Sequence, residues 1–106
     1  MAELETRQLI RAEQVRGDGR TLVVENPFTE EMIASVAMPS DEQVDAVIGA
    51  ARDVSPDWAG TPAVERGEML HEVATRLRSR TDELAEVMTL EGGKPLIENS
   101  DEVGWT

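Results

Sequence analysis

The hydrophobic period of this chain changes at Ser40, from two residues to about 3.6, and that change constrains the fold more than any other feature. Before it, apolar residues fall in short β-prone runs; after it, they recur at i, i+3, i+4 and i+7. The expected class is α+β, an N-terminal β-meander followed by three to four helices. Residues 1–7 are expected to be disordered or extended, 8–38 to form the meander, and 39–106 to be helical. Within the meander, Gln8–Val15 and Arg20–Glu25 flank Arg16-Gly17-Asp18-Gly19, so the Asp-Gly pair predicts a hairpin there. Asn26-Pro27 predicts a second turn, since Pro27 fixes φ and Asn26 can bond its own backbone, and Met32–Ala37 then reads as a third strand.

The helices have recognisable ends. Ser40 and Gln43 make a capping box, and Asp41 and Glu42 stand at the positive end of the dipole. The stripe Val44, Val47, Ile48 and Ala51 is expected to be buried, with a stop near Ser55-Pro56. Thr61 as N-cap and Pro62 at the first helical position open the second helix, whose stripe is Leu70, Val73, Ala74 and Leu77. Thr81-Asp82-Glu83 opens the third, with Leu84, Val87 and Met88 on one face. Gly92-Gly93 supplies its left-handed end, and Pro95 starts another helix.

One carboxylate breaks the pattern. Glu91 occupies the i+7 position from Leu84 and lies in a last turn, where the dipole disfavours negative charge. Periodicity leaves two readings open: a frayed turn with Glu91 in water, or a buried carboxylate compensated by Lys94 or by a metal ion shared with main-chain carbonyls. Gly92-Gly93-Lys94 superficially resembles a phosphate loop, but no strand precedes it and Pro95 stands where Ser or Thr is needed.

Composition removes several classes of function. With 22 acidic and 10 basic side chains the net charge is -12, which argues against nucleic-acid binding. The absence of Cys rules out a disulfide, a thiolate metal site or a cysteine nucleophile within these residues. No apolar run approaches a membrane span, and a cytoplasmic location is expected. His71 reads as a surface residue, and Met69 and Met88 as core filler. Arg76, Arg78 and Arg80 read as a solvated helix end or a dock for an acidic helix.

Taken in order, Gly19-Arg20-Thr21, Asn26-Pro27-Phe28-Thr29, Trp58, Thr61-Pro62-Ala63-Val64-Glu65-Arg66, Asp82-Glu83-Leu84-Ala85 and Thr89-Leu90-Glu91-Gly92-Gly93-Lys94-Pro95 resemble the N-terminal region of the aldehyde dehydrogenase superfamily. The resemblance implies the α/β aldehyde dehydrogenase fold, with residues 39–106 part of its nucleotide-binding domain. It implies oxidation of an aldehyde to a carboxylate with NAD or NADP. The catalytic Cys and Glu regions of the family are not in this chain, so the segment alone is expected to be inactive.

The resemblance further implies a sodium or potassium ion at Glu91, Val24 and Glu25, with Val24 offering only its carbonyl, and favours a buried Glu91. Trp105 could border the substrate entrance but is expected to pack. The implied partners are the remainder of the fold and further copies in a homo-oligomer. The helix begun at Pro95 reaches Thr106 without a C-cap, which suggests truncation there. The alternative is a short, non-catalytic interaction or assembly module.

Overall fold

A computed structural model describes residues 4–106. Residues 1–3 of the expected extended N-terminus therefore lie outside the described residues, and Leu4–Arg7 carry neither helix nor strand. The elements are β1 (Gln8–Ile10), β2 (Glu13–Val15), β3 (Thr21–Glu25), β4 (Met32–Ala37), α1 (Asp41–Gly60), α2 (Ala63–Arg78), α3 (Thr81–Gly92) and α4 (Leu96–Trp105). They fall into two compact units. One takes in residues 4–24 together with Met32–Gly60; the other takes in Glu25–Glu31 and Thr61–Thr106.

The strands form two two-stranded sheets, β1–β2 and β3–β4, instead of one meander. The first run folds on itself, pairing Gln8 with Val15 and Ile10 with Glu13, so the hairpin turns at Arg11-Ala12 and not at Asp18-Gly19. Both turn residues have positive φ, 50° and 64°, as the tightest hairpin turns require. Such turns favour Asn and Gly, so Arg-Ala gave no warning. Gly17-Asp18-Gly19 instead runs along the backbone that follows β4. A Cβ on Gly17 would stand 2.0 Å from the Ala37 carbonyl oxygen, a position only glycine can hold.

That close approach leads into the cap of α1, where the expected capping box forms. Gln43 N–H donates to Ser40 Oγ (3.3 Å), and Ser40 N–H donates to Gln43 Oε1 (3.1 Å). The amide does more than cap. Its Oε1 also accepts from Asp18 N–H (3.1 Å), and its Nε2 donates to the Arg16 carbonyl (3.0 Å). One side chain thus fastens the Arg16–Asp18 segment to the start of the helix.

The expected end of α1 and the expected burial of the stripes both fail. α1 runs through Pro56 to Gly60, forgoing the hydrogen bond that proline cannot donate. The apolar spacing explains the continuation, because Val54 and Trp58 extend the stripe of Val47 and Ala51 past the proline. The stripes are also not buried: Val44, Val47, Ile48, Leu70 and Val73 are exposed, as is Met69, and neither α1 nor α2 has a buried residue. A stripe marks the side a helix can bury; β1 lies beside that of α1 without burying it.

In the second unit α3 packs on α4, and the buried residues are Ala85, Val103 and Asn99. Pro62 and Pro95 act as N-caps, with non-helical ψ of 140° and 141°, one position earlier in the helix than expected. The shift follows from the Pro62 carbonyl accepting the Arg66 N–H (3.1 Å), so the first turn is counted from Ala63. The Trp105 side chain is exposed instead of packed.

Replacing Gln43 with Ala removes the reciprocal cap and the ties to Arg16 and Asp18. The expected loss is about 2 kcal/mol, measured as a lowered urea midpoint at unchanged slope. A change below about 0.5 kcal/mol would show that the amide is not holding these segments.

Candidate functional site

The stretch from Thr89 to Pro95 is where a helix is stopped, reversed and restarted. Gly93 takes the left-handed conformation at φ 73°, and its N–H donates to the Thr89 carbonyl (2.9 Å), closing the C-terminus of α3. The same glycine lies against Pro27, where a Cβ would stand 2.9 Å from Cγ of the proline ring. Conformation and contact together leave no room for a side chain. The partner turn is fixed by Asn26, whose Oδ1 accepts from Phe28 N–H (2.9 Å) as expected for an Asn-Pro turn. Asn26 N–H donates to Glu31 O (2.9 Å), and Glu30, at φ 61°, completes the reversal.

A residue not singled out in the sequence holds the restart. Asn99, 2% exposed, donates through Nδ2 to Thr89 Oγ1 (2.9 Å) and to the Lys94 carbonyl (3.2 Å). The amide therefore ties α4 both to the last turn of α3 and to the bend between them. A signal existed. Leu96, Asn99 and Val103 share one stripe, so Asn99 is a polar residue at an apolar position, as Glu91 is on α3.

The expected cation ligands are placed as follows. Val24 is half-buried in β3, in the first unit; Glu25 ends that strand, is exposed and belongs to the second; Glu91 sits in the last turn of α3. Glu91 is exposed, which corrects the expectation of burial. Lys94 is not its counter-ion either. Its ammonium pairs with Glu102 and stands 3.8 Å from Glu98, carboxylates eight and four residues further on that line up along α4. The hydrogen bond to Glu102 raises the Lys94 pKa above its ordinary 10.5.

Carboxylate and main-chain oxygens are the right donors for a hard alkali cation. No group of three or more His, Cys, Asp or Glu is assembled among the described residues, and Glu91 is open to water. His71 is exposed, as expected of a surface residue. Among the described residues no helix is long and apolar enough to cross a membrane.

Strand pairs followed by capped helices, with an Asn-Pro turn set against a Gly-Gly-Lys-Pro helix end, define an α+β segment of the aldehyde dehydrogenase fold. The aldehyde dehydrogenase family model matches residues 14–106, and the chain belongs to that family. It is 38% identical over 85 residues to malonate-semialdehyde dehydrogenase 1 of Oceanobacillus iheyensis, covering 80% of this chain and 18% of that protein. Its backbone matches an NAD-dependent benzaldehyde dehydrogenase from Corynebacterium glutamicum with TM-score 0.90 at 29% identity, over 96% of this chain and 22% of that one. A betaine aldehyde dehydrogenase from Staphylococcus aureus, solved in complex with NAD+, matches with TM-score 0.88 at 30% identity, over 96% and 21%. The chain thus spans about a fifth of the length of these relatives.

Replacing Asn99 with Ala leaves the Thr89 hydroxyl and the Lys94 carbonyl without their shared donor. The expected cost is about 1–3 kcal/mol by chemical denaturation, with faster amide exchange at Gly93. Ser100→Ala, which removes only a bond to the Leu96 carbonyl, serves as the near-neutral control. Equal effects of the two substitutions would contradict the role of Asn99.

Proposed function

We propose that this chain is the N-terminal segment of an NAD(P)-dependent aldehyde dehydrogenase, cytoplasmic and homo-oligomeric when complete, which oxidises an aldehyde to a carboxylate. In that reading residues 39–106 are the leading helices of the nucleotide-binding domain. The observation that carries it is the family match over residues 14–106, supported by the backbone agreement with enzymes that use NAD.

Within such an enzyme these residues would be scaffold. They offer no thiol to attack an aldehyde carbonyl, and their most specific local feature is a helix joint. Exposed Ile97 and Trp105, eight residues apart, give α4 an apolar side that the remainder of the fold would cover. The same exposure would serve a short interaction or assembly module. Concentration-dependent association in sedimentation would favour an assembly module, and a monomer with a cooperative thermal transition an interaction module.

Incubated with NAD or NADP and an aldehyde, the purified 106-residue chain is expected to give no rise in absorbance at the reduced-nicotinamide band. Aldehyde-dependent turnover would contradict the scaffold role, because no cysteine is present to form the thiohemiacetal.

The sodium or potassium ion belongs to the same proposal, held by the Glu91 carboxylate with main-chain oxygen near Glu25. At fixed ionic strength the melting temperature is expected to be higher in sodium or potassium chloride than in tetramethylammonium chloride, and Glu91→Gln to remove the difference. Identical melting of the unaltered chain in all three salts would rule the ion out.

A further inference from the structure

A depression in the first unit is lined by Thr6, Arg7, Arg16, Thr21, Ser35 and Ala37. The chain carries 22 acidic residues against 10 basic, yet two of those ten line this one depression, with three hydroxyls and no carboxylate among its walls. Its volume is about 230 Å³. That suits a small solvated oxyanion and falls short of the roughly 300 Å³ at which pockets for organic ligands begin.

Its walls come from four stretches of chain, three of them linked to one another and the fourth, at Arg16, held by Gln43 of α1. Gln8 Nε2 donates to the Ala37 carbonyl (3.0 Å), Gln43 Nε2 to the Arg16 carbonyl (3.0 Å), and Met38 N–H to the Arg20 carbonyl (2.9 Å). The two cations differ in their commitments. Arg7 Nε already donates to Glu5 (2.8 Å), and the hydrogen bonds from Arg7 pull the Glu5 carboxyl down to about 2, so part of the Arg7 fork is already engaged. Arg16 has no ion-pair partner among the described residues.

We infer that this depression binds a small oxyanion, a phosphate or carboxylate group, with Arg16 supplying the charge and the Thr21 and Ser35 hydroxyls donating hydrogen bonds. Arginine suits the role because its planar fork donates two parallel bonds to adjacent oxygens. This binding stands apart from the dehydrogenase reading, and the fate of either leaves the other untouched.

The test is amide NMR of the 106-residue chain titrated with sodium phosphate, and separately with sodium acetate, at ionic strength matched with sodium chloride. Phosphate is expected to give saturable shifts at residues 6–7, 16, 21 and 35–37. Saturation by acetate as well would identify carboxylates as a second source of the same group; saturation by phosphate alone would restrict the site to phosphate groups. Arg16→Gln is expected to weaken binding at least tenfold, and Thr21→Val severalfold, while Arg78→Gln on α2 leaves it unchanged. Arg16 is an exposed side chain whose bond to Gln43 is made by its backbone, so that variant keeps the fold. Shifts that grow linearly with anion, or equal weakening by Arg16→Gln and Arg78→Gln, would overturn the assignment.

Discussion

The buried side-chain amide of Asn99 is the interaction on which the second unit depends. Its Nδ2 reaches the Thr89 hydroxyl and the Lys94 carbonyl together, so the end of α3, the bend and the start of α4 cannot move independently. The last carbonyls of a helix need partners, and here Gly93 N–H supplies one to Thr89. Thr89 is therefore held at its backbone by Gly93 and at its side chain by Asn99. Because Gly93 also lies against the Pro27 ring, the Asn26-Pro27 turn inherits the same restraint. The Lys94 pairs with Glu98 and Glu102 are half-exposed and contribute little beside a satisfied, buried amide.

The first unit uses the same chemistry in another place. Gln43 accepts from Ser40 and Asp18 and donates to Arg16, which makes one side chain a helix cap and a loop anchor at once. A primary amide carries two N–H donors and an oxygen that can accept twice, so one side chain engages three main-chain partners at once. With few fully buried apolar side chains among the described residues, such polar joints carry a larger share of the local order than they would beneath a thick core.

Much of this was legible because turn chemistry is local. Asn26 bonding its own backbone, Ser40 paired with Gln43, and a glycine ending α3 each follow from a few adjacent residues. What stayed hidden depends on other parts of the chain. Arg11 and Ala12 adopt positive φ without the residues that advertise it, because β1 and β2 pair across them. Pro56 failed to end α1 because the apolar spacing continues beyond it. Glu91 and Asn99 show the limit most clearly. Both are polar residues on apolar stripes, yet one faces water and the other is enclosed, and only the packing of α4 on α3 decides which.

The chain belongs to the aldehyde dehydrogenase family, and the organising joint of its second unit is the helix end at Gly93 set against Pro27 and pinned by Asn99. Proton NMR of the intact chain tests that joint most directly. A nuclear Overhauser contact is expected between the Pro27 ring protons and Gly93 Hα, with the Asn99 side-chain amide exchanging slowly. Absence of the contact, with rapid exchange at Asn99, would contradict the joint.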